Sequence, residues 1–324
     1  MKVGALWADT VPSKDPAIDP TVYDLAFSPD GRVVVAAVGN RVLVYDASTG
    51  SIISTVKGHK DYVYAVAFAR DGKRFASGGA DKTVILWAHP KCEGILKYTH
   101  ADSIQALAFN PVSQQLVSAT ETEFGLWSPE QKAVAKTKVT SKITCLAWST
   151  DGHLLALGHQ NGTISIRDNR GVEKVSFQRS APISCLQFSP LPGGESESDV
   201  LAVGCWDQTL SFYTLEGPIG KERALGYDPC SLAFINDYAY ILCGGSDCGV
   251  SLYTTDGIFL KLLTSTEDWV WAVRARPAGL LAGPGAASQQ FCLGTNCGQV
   301  AMFEAAANTV HGMYQDRYVR FTQP

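Results

Sequence analysis

The chain has 324 residues, 46% hydrophobic and 18% charged, with a formal net charge of -4. That length exceeds what one hydrophobic core usually supports, so it implies two domains or one modular array, and the composition leaves no room for long disorder. Scattered lysines with no basic stripe argue against nucleic acid as the main partner.

The N-terminus offers one lysine and a short apolar run, Val3 to Ala8, stopped by Asp9. It is too brief for a signal peptide or a membrane span and reads as an extended strand. Nine dispersed cysteines, an odd number, fit reduced thiols better than a disulfide framework, so an intracellular protein is expected.

From Val22 onward one apolar pattern returns along the chain. The triplets are Val22/Leu25/Phe27, Val63/Val66/Phe68, Ile104/Leu107/Phe109, Ile143/Leu146/Trp148 and Ile183/Leu186/Phe188, then the weaker Pro229/Leu232/Phe234 and Val270/Val273/Ala275. Their first positions are 41, 41, 39, 40, 46 and 41 residues apart, the period of propeller blades. The long interval contains Leu191 to Ser198, whose composition suits a flexible surface hairpin. Spacing of three and then two changes parity, which an uninterrupted strand cannot place on one face, so a β-bulge is expected inside each triplet.

A turn follows each triplet, such as Asp30-Gly31, Asp71-Gly72 or Asp151-Gly152, and then a short apolar strand such as Phe75 to Gly78. Third strands end on an aromatic residue, as in Val42–Tyr45, Val84–Trp87, Leu210–Tyr213 and Val250–Tyr253. Fourth strands are more variable, as in Ile52–Val56 and Ile95–Lys97. Four strands per unit and seven units predict an all-β, seven-bladed β-propeller with antiparallel blades. A propeller must join its ends or expose strand edges, so the N-terminal strand is expected to supply the outer strand of blade 7.

Repeat 2 carries Gly58-His59, Ser77, Asp81 and Trp87, the positions at which WD-repeat proteins place a hydrogen-bond network that locks a blade. The set resembles a Ser-His-Asp triad on paper, but it would lie between strands without a cleft or oxyanion donors. Repeat 3 keeps His100, Ser118 and Trp127, with Thr122 at the acidic position, and the other repeats are expected to hold by packing alone.

Signals for chemistry are weak. Gly79-Ala80-Asp81-Lys82-Thr83 lacks the glycine before lysine and the following helix of a phosphate loop. Cys243/Cys248 and Cys292/Cys297 are out of register with each other, and no suitably spaced His or Cys completes a tetrahedral metal site. Neither a cofactor nor a metal is expected. The residue after the first triplet position should face the channel mouth: Tyr23, Tyr64, Gln105, Thr144, Ser184, Cys230 and Trp271. Aromatics concentrate on repeats 7, 1 and 2, which are neighbours once the ring closes, and Tyr62 and Trp269 enlarge the same sector. Tyr62, Tyr64, Trp269 and Trp271 are therefore candidate partner-binding residues, against the alternative that Tyr64 and Trp271 only plug the channel. Trp206, beside Asp207, is a further candidate. No acidic pair, histidine or metal set occurs on the ring, which disfavours a propeller hydrolase.

Several runs are more specific than generic repeats: Glu93 to His100, Gly125 to Lys132, Trp269-Val270-Trp271 and Val310 to Tyr318. Over nearly the whole chain the sequence resembles the N-terminal propeller of the intraflagellar transport protein 122 family, subunits of intraflagellar transport complex A. The resemblance implies a scaffold for retrograde ciliary and flagellar transport and membrane-protein trafficking. Implied partners are other complex A subunits and cargo adaptors, and implied locations are cytoplasm, basal body and cilium or flagellum. Family members have a second propeller and a helical-repeat tail after the first. Residues 1–308 are then the propeller, and 309–324 an exit segment toward a second propeller, with the protein continuing past Pro324. Two departures are the compact stretch Ser189 to Val200, where relatives can carry acidic insertions, and the extended repeat 7 loop Ala278 to Ala287. A substrate receptor of a ubiquitin ligase or a coat-like vesicle scaffold is the competing reading.

Overall fold

The computed structural model describes residues 3–13, 17–129, 134–189, 200–235, 240–277 and 290–305. The hairpin expected over Leu191 to Ser198, the loop Ala278 to Ala287 and the exit segment 309–324 lie outside the described residues, as do Glu130 to Lys132. The described strands form seven four-stranded antiparallel sheets, with no helix among the described residues, so none is long and apolar enough to cross a membrane.

Blade 1 shows the plan, with strands Val22–Phe27, Val33–Val38, Arg41–Asp46 and Ile52–Val56 running from the channel outward. The second strand is buried along its whole length because its alternate faces serve different neighbours. Val33, Val35 and Ala37 pack towards blade 2, whereas Val34, Ala36 and Val38 join residues of blade 7. Every described core cluster joins two adjacent blades in this way, so the stability of the ring is a chain of nearest-neighbour interfaces.

Close approach between blades depends on small residues in the second strands. A Cβ on Gly244 would stand 2.7 Å from Val270, and one on Gly294 would stand 2.4 Å from Val22. The second contact lies on the seam between blades 7 and 1.

The expected parity change is present as a register shift in the first strand of six blades, for example between Val63 and Ala65 and between Val270 and Ala272. In blade 3 the strand begins only at Ala106 and pairs without a shift. The bulged residue is the one that sequence spacing assigns to the channel mouth, because leaving the ladder turns it out of the two interblade faces.

Ring closure follows the expected route. Gly4–Thr10 pairs antiparallel with Gln299–Glu304 and forms the outer strand of blade 7. Trp7 crosses the seam to blade 1, donating its indole N–H to the Ala47 carbonyl at 2.9 Å and stacking on Tyr45. The Tyr45 hydroxyl donates to Asp9 at 3.0 Å.

Two expectations about the blades need correction. In repeat 3 the acid partner is Glu123, which lies 2.7 Å from His100 Nδ1, and Thr122 instead donates to Asp102. The turn is one residue shorter than in repeat 2, since Ser118 pairs with Gly125, seven residues on, where Ser77 pairs with Ile85, eight on; Glu123 therefore opens the third strand where Thr83 does in repeat 2 and meets the imidazole from there. Blades 4 to 6 are also not held by packing alone. Arg179 binds Asp207, Thr209 and Glu222 in blade 5, His159 meets the Ser141 carbonyl in blade 4, and the Tyr227 and Tyr253 hydroxyls meet at 3.0 Å in blade 6. These polar links use different residue types, so no repeated motif announces them.

Candidate functional site

The repeat 2 residues are brought together as one hydrogen-bond path inside the blade. The Trp87 indole N–H donates to Ser77 Oγ at 2.8 Å, Ser77 Oγ lies 2.7 Å from His59 Nε2, and His59 Nδ1 lies 3.0 Å from Asp81. Asp81 also accepts from the Lys60 amide and from Thr83, which locks the turn. Burial holds the His59 imidazole below its ordinary range, outweighing the opposing pull of Asp81. Ser77 is fully buried and its oxygen is already occupied on two sides, so it has no route to a substrate. The network positions strands; it does not present a nucleophile.

The channel mouth is assembled from the six bulged residues and from Gln105, which precedes the unbulged first strand of blade 3. Tyr23, Tyr64, Gln105, Thr144, Ser184, Cys230 and Trp271 all line one cavity of about 530 Å³ at the centre of the ring. Tyr23 meets Tyr64 edge-on at 5.0 Å and Tyr62 at 6.0 Å, while Tyr62 and Tyr64 stack at 6.3 Å. The Tyr62 hydroxyl accepts from the Asp19 amide at 3.1 Å, tying the N-terminal approach loop to blade 2.

On blade 7, Trp269 and Trp271 have ring centres 5.8 Å apart, and Trp269 is 40% exposed. Asn296 joins this pair to blade 1: its Oδ1 accepts from the Trp271 indole and from the Thr21 hydroxyl, each at 3.2 Å. The four aromatic candidates thus lie on blades 2 and 7, on either side of Tyr23 of blade 1 and on the same face. Trp206 is half exposed and sits in the turn between the second and third strands of blade 5, the place Asn296 takes in blade 7, and its amide binds the Pro182 carbonyl at 3.0 Å. It lies on the same face but is separated from blades 7, 1 and 2, so it is not part of the sector.

Below the aromatic rim lies a charge pair that the apolar triplets do not announce. Arg274 of blade 7 reaches Asp24 of blade 1 at 2.5 Å and also donates to Ser231 of blade 6 at 3.0 Å. Asp24 in turn accepts from the Val66 amide of blade 2 at 3.1 Å. Four consecutive blades are connected through three side chains and one backbone amide. Burial pushes the Asp24 carboxyl up, and Arg274 with the Val66 and Leu25 amides opposes it. The signal lies in the repeats themselves. Asp24 stands where other repeats have Ala65, Ala106, Cys145, Cys185, Ser231 and Ala272, and Arg274 where most have alanine.

The cysteine pairs are separated by packing. Cys243 belongs to the core between blades 5 and 6, and Cys292 to the core between blades 7 and 1. Burial pushes both thiols up, which disfavours the thiolate that a metal needs. Among the described residues no group of three or more His, Cys, Asp or Glu is placed to hold a metal ion. The Gly79 to Thr83 segment is a strand-to-strand turn, and a Cβ on Gly79 would fall 1.9 Å from the Tyr62 carbonyl oxygen, leaving no cradle for a phosphate.

Residues 21–304 match the family model described as the IFT122 first beta-propeller. The chain is 48% identical over 323 residues to the intraflagellar transport protein 122 homolog of Xenopus tropicalis, covering 98% of this chain and 26% of that protein. It is 47% identical over 323 residues to the homolog of Danio rerio, with 98% and 26% covered, and 49% identical over 302 residues to that of Mus musculus, with 92% and 24% covered. The chain therefore spans about a quarter of the length of these curated relatives.

Proposed function

The chain belongs to the family of IFT122 first propellers, and from that premise we propose that it is a non-catalytic scaffold domain of an intraflagellar transport complex A subunit. It mediates protein contacts for retrograde transport in cilia and flagella and for ciliary membrane-protein trafficking. Its partners are other subunits of the complex and cargo adaptors, met in the cytoplasm, at the basal body and in the cilium or flagellum. Residues 1–308 form the propeller, and 309–324 lead toward a second one.

One observation carries the partner site: Tyr62 and Tyr64 of blade 2 and Trp269 and Trp271 of blade 7 flank Tyr23 of blade 1 on one face, at the rim of the central cavity. Tyrosine and tryptophan combine a large apolar area with few rotatable bonds and a polar tip, the combination that anchors interfaces. Trp206 on blade 5 serves as a second contact point. The test is full-length protein with all four aromatics changed to alanine, expressed in ciliated cells and analysed by crosslinking and co-purification. Loss of complex A subunits or adaptors, with wild-type crosslinks on the Tyr64 and Trp271 sector, is expected. Crosslinks confined to the outer strands would reassign the interface, and recovery of ubiquitin ligase or vesicle coat components instead would favour the competing reading.

A further inference from the structure

We propose that the rim of blades 6 and 7 receives a basic segment of a partner protein, with an arginine or lysine side chain lying on the Trp269 and Trp271 rings. This rests on the aromatic sector being a partner site, and it adds the chemical class of the partner.

The rim loops of these two blades are Leu225 to Asp228, Ser246 to Cys248, Thr266 to Trp269 and Asn296 to Gly298. They contain Asp228, Asp247, Glu267 and Asp268, and no lysine or arginine. Among the described residues none of these carboxylates has a cation within 4.0 Å. On the far half of the same face some carboxylates are paired: Glu121 with Lys142 at 3.2 Å and Asp207 with Arg179 at 2.9 Å, while Asp102 accepts from Thr122.

Two of these carboxylates act on the ring residue of blade 6. Burial, Cys185 and the carboxylates of Asp228 and Asp247 push the Cys230 thiol up to about 12, and Cys230 is the blade 6 ring residue. Asp268 and Asp247 both raise the Cys248 thiol, after burial. Asp268 is fixed beside the indoles, because its Oδ2 accepts from Asn296 Nδ2 at 2.9 Å while Asn296 Oδ1 accepts from Trp271. On the blade 2 side Lys60 stands next to Asp61 in sequence, and Asp19 extends the acidic sector along blade 1.

Exposed indole faces and uncompensated carboxylates fit the same ligand. A ring face attracts a cation through its quadrupole, and the neighbouring carboxylates add a direct charge partner. Arginine fits better than lysine, since a planar guanidinium stacks on indole while its edge forks to a carboxylate. An acidic segment would be repelled here. A purely apolar one would leave the carboxylates without a partner.

The test is selection of random peptides displayed on phage against the immobilised 324-residue chain, counter-selected on the Trp269→Ala/Trp271→Ala variant with its fold checked by thermal melting. The expected peptides are enriched in arginine above lysine and weaken by about tenfold as salt rises from about 50 mM to about 300 mM. They should weaken about fivefold on Asp228→Asn/Asp247→Asn/Glu267→Gln, since exposed charge pairs contribute modestly each. Selected peptides that are neutral or acidic and indifferent to that triple variant would overturn the basic class while leaving the aromatic site standing. Basic peptides that bind the counter-selection variant equally well would overturn the seat on the aromatic rings. Recovery of no peptide that distinguishes the two proteins would overturn both readings.

Discussion

Trp7 is the residue through which the N-terminal strand commits blade 7 to blade 1, and its truncation has a calculable cost. The indole is half-buried, stacks on Tyr45 with ring centres 5.7 Å apart at 19°, and donates to Ala47 at 2.9 Å. Half of an aromatic side chain's usual burial is about 100 Å², or about 2.5 kcal/mol at about 25 cal/mol per Å². Stacking adds about 0.5–1 kcal/mol, and the hydrogen bond no more than about 0.5 because the Ala47 carbonyl can turn to water. Trp7→Ala should therefore destabilise by about 3–4 kcal/mol. For a ring of this length melting as one unit, an unfolding entropy near about 2.1 cal/mol/K per residue makes that a fall of about 5 °C. Trp7→Phe keeps most of the stack and should lose only about 1–2 °C by the same conversion. Scanning calorimetry of the three proteins decides the matter. A Trp7→Ala melting point within about 1 °C of the parent would refute the reasoning, and equal losses in both variants would assign the effect to the hydrogen bond.

Removing residues 1–9 should be more damaging than Trp7→Ala, because it exposes the buried Val300 to Met302 stretch as a new sheet edge; an unchanged melting curve would reject closure by this strand. Ser77→Ala leaves the Trp87 indole and the His59 ring short of a partner in a buried site, so the urea midpoint should fall by the equivalent of about 2–3 kcal/mol. His59, His100 and His159 are all held below the ordinary imidazole range, chiefly by burial, so protons bind the unfolded chain more readily. Their contribution is complete above the unfolded pKa of about 6.5 and is lost as pH falls through the folded values. The melting point should thus be lower at about pH 5.5 than at about pH 7.5, and the drop should shrink in His59→Gln/His100→Gln. Arg274→Ala leaves the Asp24 carboxylate unpaired under the channel and should cost about 2–3 kcal/mol, below the full value for a buried pair because the Arg274 side chain is 38% exposed. A double-mutant cycle with Asp24→Asn should recover most of that cost, and strict additivity in urea titrations would show that the two side chains act independently.

The aromatic sector is half legible in the amino-acid sequence. Spacing of three and then two identifies the bulge, and the bulge identifies Tyr64 and Trp271 as channel residues. The contacts between Tyr23, Tyr62 and Tyr64 are not legible there, since they depend on how neighbouring blades lean together. The same division holds for the polar links. His59, Ser77, Asp81 and Trp87 follow a spacing that repeats across proteins of this architecture, whereas Arg179 with Asp207 and Glu222 has no repeated pattern to announce it.

The amino-acid sequence by itself determined the number of blades, the four-strand plan, the bulged positions and the closing strand. The strand plan and the bulges are set within one repeat of about 40 residues, where alternation, turn chemistry and strand length act locally, while the blade count follows from the repeats and the closing strand from the need to join the ends. Only the tertiary structure decided that Glu123 rather than Thr122 meets His100, because a one-residue difference in turn length redirects every side chain after it. It alone decided that Asp24 meets Arg274, 250 residues away, because that pair exists only once the last blade is seated against the first.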